Sequence, residues 1–274
     1  MVGTDRMPCH GFIEIWQYWS ALSRPMCCVK PAAVNVGLRG ECDMIRAIVF
    51  DLDGTLFDRA TSVQRCIEAQ YYRCAQALFS MTREAYVLRF LELDARGYTP
   101  KDTVYSQLSS EFSLPPGSSE LLYTDFYAHY HRHAIGFPNL QPTLRRLREQ
   151  GVSLGIVTNG SESHQRATIR ALEIESYFDA ILVSEAEGVR KPDPRIFRRV
   201  CERLHVTPAE TIYVGDHPEV DIEGARSSGL WSVWRRDPYW GECLSADAII
   251  DDLSEVPSLL VQGRLSVSAV RGDN

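Results

Sequence analysis

The chain has 274 residues, of which 45% are apolar and 24% charged, an ordinary composition for a soluble globular protein holding one large α/β domain with room for an insertion. A net charge of −7 argues against a nucleic-acid partner, whose binding face would be basic. No apolar run approaches the length of a bilayer span, so no membrane partner is expected.

Residues 1–43 differ from the rest of the chain. They carry Cys9, Cys27, Cys28, Cys42 and three prolines, with no sustained helical or strand period. No basic region and cleavage site frame the apolar stretch at 12–22, so it does not read as a secretory signal. Cys9 and His10 lack the C-x-x-C spacing of a zinc site. The expectation is a disordered extension, with Met44 a candidate start for the functional chain. Eight cysteines without a framework pattern suggest reduced thiols and a cytoplasmic setting.

Residues 45–50 form a short Ile/Val-rich run that predicts a buried parallel strand. It ends in Asp51-Leu52-Asp53-Gly54-Thr55, where a strand gives way to a loop and ligands of open α/β sheets bind. Helical spacing then fills about eighty residues: 61–79, 82–93 with Thr82 as N-cap, 101–112 and 118–133. These predict a helical cap at 59–137, inserted between the first and second strands of a core made of 44–58 and 138–262. Within it, Gly97 and Pro100 mark a loop whose Arg96, Tyr98 and Lys101 are candidate substrate contacts.

The α/β rhythm resumes with a helix at 141–150 closed by Gly151, then strands at 152–157, 180–183, 211–214, 231–234 and 248–250, with helices at 163–172, 195–204 and through Ala225. Alternation of this length predicts a doubly wound parallel, Rossmann-like sheet. Residues 263–274 read as a disordered tail. Trp231, Trp234, Tyr239 and Trp240 are read as an aromatic core cluster, and His217 as a packed loop residue.

Four loops now carry polar groups to one sheet edge: Asp51 and Asp53; Thr158-Asn159-Gly160; Lys191-Pro192; and Gly215-Asp216 through Asp221. In order, spacing and residue type they resemble the four motifs of the haloacid dehalogenase superfamily, in the subclass with a helical cap after the first motif. The resemblance spans residues 45 to about 251. It implies a phosphatase in which Asp51 is the nucleophile and Asp53 the acid and base; the dehalogenating branch lacks that second aspartate. It also implies Mg²⁺ on Asp51, Asp216 and the backbone carbonyl of Asp53. Asn159 and Gly160 are carried over as substrate contacts.

Charge gives the same need. A phosphate dianion brought to Asp51 costs roughly 8 kcal/mol, at ~4 Å and an effective dielectric of ~20, so a cation is required. Lys191 supplies a second positive charge and the Thr158 hydroxyl a hydrogen bond. Asp221 is read as a supporting residue, partly a helix N-cap, bonding Lys191 or the loop around Asp216. The expected partner is a small phosphorylated metabolite, with the wording of the motifs leaning to nucleotide- or flavin-mononucleotide-like substrates, and the assembly a monomer or homodimer. A phosphomutase of the same family is the alternative, and a non-enzymatic phospho-receiver domain a more distant one.

Overall fold

In the computed structural model, residues 44–261 and 264–265 are described. The extension expected at 1–43 and most of the expected tail lie outside them. Six parallel strands form the core sheet: β1 (Ala47–Phe50), β2 (Ser153–Thr158), β3 (Ala180–Val183), β4 (Thr211–Gly215), β5 (Trp231–Arg235) and β6 (Ala248–Ile250). Both faces of β1 are covered. Ile48 and Phe50 pack into one apolar layer with Leu144 and Leu147, while Ala47 and Val49 pack into the other with Ile196 and Phe197. Alternate residues entering opposite layers explain why the strand reads as continuously apolar.

The strand order is β3-β2-β1-β4-β5-β6. The chain winds outward from β1 through β2 and β3, then returns to β4 on the other side. This places the switch point of the sheet, where open α/β sheets bind ligands, between β1 and β4. Phe50 pairs with both Ile156 and Val214, so Asp51, Thr158 and Asp216 emerge at nearly the same level of one sheet edge.

Helices α1 (Arg59–Arg73), α2 (Arg83–Asp94), α3 (Lys101–Glu111) and α4 (Ser118–His129) fill the interval between β1 and β2. Asp58 caps α1 by accepting from Thr61 N–H at 3.0 Å, and Thr82 caps α2 by accepting from Ala85 N–H at 3.2 Å. The insertion buries Tyr86, Phe90, Tyr105, Phe126 and Tyr130 in an apolar cluster continuous with the Ile48 and Phe50 layer of the sheet. At its centre Gln70 accepts hydroxyl hydrogen bonds from Tyr86 (2.6 Å) and Tyr105 (2.8 Å). The periodicity at 61–79 overruns the real helix. Beyond Arg73 the chain turns, Leu78 and Met81 tuck inward, and Phe79 is left exposed. Tyr71 fastens this turn by donating to the Met81 carbonyl at 2.9 Å.

The core helices are α5 (Leu140–Glu149), α6 (Glu162–Ala171), α7 (Ser184–Glu187), α8 (Pro194–Leu204) and α9 (Gly224–Ser227), the last preceded by a π-helical turn at Pro218–Glu223. Two residues of the expected tail, Arg264–Leu265, pair antiparallel with Leu260–Val261. No helix among the described residues is long and apolar enough to cross a membrane.

Candidate active site

Asp51, directly after β1, is buried, and its backbone N–H continues the ladder by donating to Val214 O at 2.9 Å. One Asp51 carboxylate oxygen receives the Lys191 ammonium; the other receives the Thr55 hydroxyl at 3.4 Å. Lys191 also donates to Asp221 Oδ1 at 2.7 Å and to the Tyr213 hydroxyl at 2.8 Å. Tyr213 donates in turn to the Val157 carbonyl at 3.1 Å. The lysine is therefore held by the end of β1, by β4 and by the turn that follows β4 at once. Its burial disfavours the charge, but Asp221 and Asp51 overcome that and hold it well above the ordinary lysine range.

Asp216 follows β4. Oxygens of Asp51, Asp216 and Asp221, all three buried, lie within 4.8 Å of one another. Lys191 pairs with Asp51 and Asp221 but not with Asp216, so the carboxylates outnumber the ammonium among them. Burial, with the neighbouring acids adding to it, pushes Asp216 up to about 7. Burial likewise lifts Asp51 well above the usual carboxylate range, against the pull of Lys191. The loop after β1 passes close to this cluster because residue 54 is glycine: a Cβ there would stand 2.5 Å from Asp216 Oδ2, and its φ is +84°.

Asp221 has both partners expected of it, the Lys191 ammonium and the loop near Asp216, where it accepts from His217 N–H at 3.1 Å. It is not an N-cap, since it lies inside the π-helical turn; His217 caps that turn through Nδ1, accepting from Glu219 and Val220 N–H at 3.2 and 3.3 Å. The Asp53 carboxylate stands apart from the three-carboxylate cluster. Gln165 Nε2 donates to it at 2.6 Å and to the Thr158 hydroxyl at 2.6 Å, tying the first and second loops together.

Asn159 and Gly160 both bond to neighbouring loops of the protein itself. Asn159 clasps Lys191, donating to its carbonyl at 3.1 Å and accepting from its N–H at 2.9 Å. Gly160 N–H donates to the Ser184 hydroxyl at 3.0 Å. Of the candidates in the insertion, Arg96 reaches the core: it pairs with Asp237, lies 3.9 Å from Asp216, and stacks 4.5 Å above the Tyr239 ring. Tyr98 is exposed nearby. Lys101 instead pairs with Asp94 at the end of α2.

The aromatic cluster read as core divides. Trp234 is core, but Tyr239 is exposed, and Trp240 stands at the site, donating to Asp216 Oδ2 at 3.3 Å. Sequence reasoning also passed over Tyr213 and Gln165. Tyr213 carried a faint signal, a phenol between the aliphatic Ile212 and Val214 of a buried strand. Gln165 carried none.

The haloacid dehalogenase-like hydrolase profile matches residues 48–234. The chain is 28% identical over 242 residues to the glyceraldehyde 3-phosphate phosphatase of Pyrococcus furiosus, covering 79% of this chain and 93% of that protein. It is 30% identical over 200 residues to the phosphoserine phosphatase of Thermus thermophilus, covering 69% and 78%. Among solved structures, a HAD phosphatase from Thermococcus onnurineus superposes with a TM-score of 0.59 at 29% identity, over 81% of this chain and all of that one. With its parallel sheet, its acidic switch point and more than half its length matched, this chain belongs to the haloacid dehalogenase-like hydrolases.

Proposed function

We propose that the chain is a Mg²⁺-dependent phosphatase that hydrolyses a small phosphorylated metabolite through an aspartyl-phosphate on Asp51. The observation that carries this reading is the switch-point cluster, in which three buried carboxylates lie together and two of them, Asp51 and Asp221, share one lysine. Its relatives act, by name, on glyceraldehyde 3-phosphate and phosphoserine.

The cluster fits a hard divalent cation. Every donor is an oxygen, as Mg²⁺ prefers, and the surplus negative charge would otherwise repel a phosphate dianion. Asp51 and Asp216 would hold the ion, with the Asp53 carbonyl from the family resemblance. When bound, Mg²⁺ neutralises charge on the phosphoryl oxygens and orients them.

The rest falls to the chain's own groups. One Asp51 oxygen attacks phosphorus, and the bond from phosphorus to the ester oxygen breaks. Asp53 gives its proton to that leaving oxygen, then takes one from the water that attacks the aspartyl-phosphate, releasing phosphate and restoring Asp51. Gln165 sets the Asp53 carboxylate against the Thr158 hydroxyl. Lys191, pinned by Asp221 and Tyr213, stays protonated beside Asp51. The α1–α4 insertion acts as a cap and carries Arg96 to the site.

The narrower reading is a nucleotide- or flavin-mononucleotide-like substrate, supported by Arg96 beside the exposed Tyr98 and Tyr239 rings. A cytoplasmic setting accords with free, buried Cys66, Cys74, Cys201 and Cys243. The test is a screen for inorganic phosphate release from nucleotide, flavin, sugar and amino-acid phosphates and p-nitrophenyl phosphate, with Mg²⁺ and with EDTA. Release from no ester sinks the phosphatase reading, full turnover in EDTA sinks the metal, and an isomerised sugar phosphate without free phosphate identifies a mutase.

A further inference from the structure

A second cluster of buried charge lies on the insertion side, where the start of α1, the end of α2 and the start of α3 meet. Asp94 is buried, and Arg59 grips it with two nitrogens, at 2.9 and 3.3 Å. Lys101 pairs with the same carboxylate. Both cationic side chains are largely shielded from solvent, 18% and 9% exposed, so neither is a solvated surface charge. A bridge serving the fold alone would need one cation for one carboxylate. Here two cations share one, and a positive charge is left over.

Two further observations point to a ligand. Arg59 and Lys101 both lie close enough to Asp53 to gain from its charge, which puts them at the reacting centre's flank. Beside them the buried Nδ1 of His164 has no hydrogen-bond partner, although its ring stacks on Tyr130 at 4.8 Å. Residue 97 also has to be glycine: a Cβ there would stand 2.7 Å from the Arg59 guanidinium, and its φ is +94°.

We propose that Arg59 and Lys101, held together on Asp94, form a subsite for a second anionic group of the substrate, so that the preferred ester carries a carboxylate or a further phosphate at its far end. The inference rests on the phosphatase reading and narrows its substrate class. Either anion would accept from the Arg59 fork and the Lys101 ammonium, and would complete the charge balance that Asp94 leaves open. The neutral His164 imidazole offers the same group a hydrogen bond.

Binding of uncleavable phosphonates tests this without turnover. With Mg²⁺ present, calorimetry would compare 3-phosphonopropionate and propane-1,3-bisphosphonate with propylphosphonate, which has the same length and a neutral end. The expected result is about ten- to a hundredfold tighter binding of one or both doubly anionic probes, the range of charged hydrogen bonds. Which probe gains more identifies the anion. In Arg59→Met and Lys101→Met the margin should shrink severalfold or more, and Arg59→Lys, keeping the charge on Asp94, should retain part of it. Equal binding of all three probes to the unaltered protein overturns the subsite, and needs no variant to fold. So does an undiminished margin in the folded variants. Phosphate release across the ester panel is scored separately: its absence from every ester overturns the phosphatase reading, while the probe margins still decide the subsite.

Discussion

The two buried charge clusters are mirror images in sign. At the ends of β1 and β4, three carboxylates surround one lysine, which pairs with two of them; at the meeting of α1, α2 and α3, two cations share one carboxylate. A fold built only for stability would neutralise each, since an uncompensated buried charge is expensive. Instead one cluster is short of positive charge and the other of negative. A metal ion at the first and an anionic substrate at the second would satisfy both, which is what a phosphate ester with a charged tail and its cation would bring. On the proposed reading, the sheet would supply the reacting groups and the insertion what grips the rest of the molecule.

The harshest way to break that contrast is at its negative side. Asp51→Asn should cost at least about 10⁴-fold in turnover on every ester alike, because the attacking oxygen is lost. Rapid phosphate release by that variant would remove Asp51 as nucleophile. Arg96→Ala probes the junction, since Arg96 belongs to the insertion yet lies against Asp237 and Asp216. Its loss should cost about ten- to a hundredfold in kcat/KM on the best metabolite of the screen, and less on p-nitrophenyl phosphate, which offers little to hold. Equal losses on both would place Arg96 with the reacting groups instead.

A gentler probe is Asn159→Ala. It removes two hydrogen bonds to the Lys191 backbone and should lower stability by about 1–3 kcal/mol, measured by denaturant unfolding. No change would mean the lysine loop is held by its ammonium alone. A comparably modest effect concerns acid on the positive side. His164 faces Tyr127, Tyr130 and His131, and burial, followed by His131, Arg59 and Lys101, holds it down to about 4. A base depressed by folding stays neutral in the native state and gains its proton on unfolding. Its contribution to stability is therefore intact above about pH 6.5 and drains away towards pH 4. Between pH 7 and 5 the protein should lose about 2 kcal/mol more than His164→Asn does. Parallel losses in the two would show His164 is not titrating in that window.

Much of the molecule could be read from the chain. The run 45–50 and the acids after it gave away the central strand and its loop, because a buried parallel strand has to be apolar throughout and the loop cannot be. Thr158, Lys191 and Asp216 were legible for the same reason, each standing where a strand or its connection ends. The positive cluster was not. Arg59 and Asp94 are far apart in sequence and belong to different helices, so only packing of the insertion reveals that they meet. Trp240 was misplaced because an aromatic residue near a strand has the same pattern whether it fills the core or, as here, bonds Asp216. The end of α1 was overrun because Leu78 keeps helical spacing after the helix has stopped.

The loop from Ala95 to Gly97 has a consequence of its own. Ala95, Arg96 and Gly97 are successive left-handed residues, with φ of 45°, 57° and 94°. For the first two, that conformation costs about 1–2 kcal/mol each. Ala95→Gly would relieve one of these costs, at the expense of a freer unfolded chain. It would also release the backbone that aims Arg96 at the core. Selection for a more robust protein and selection for a well-aimed arginine therefore pull on residue 95 in opposite directions, and a thermostable variant found by random mutagenesis at this loop should be examined first for loss of substrate discrimination.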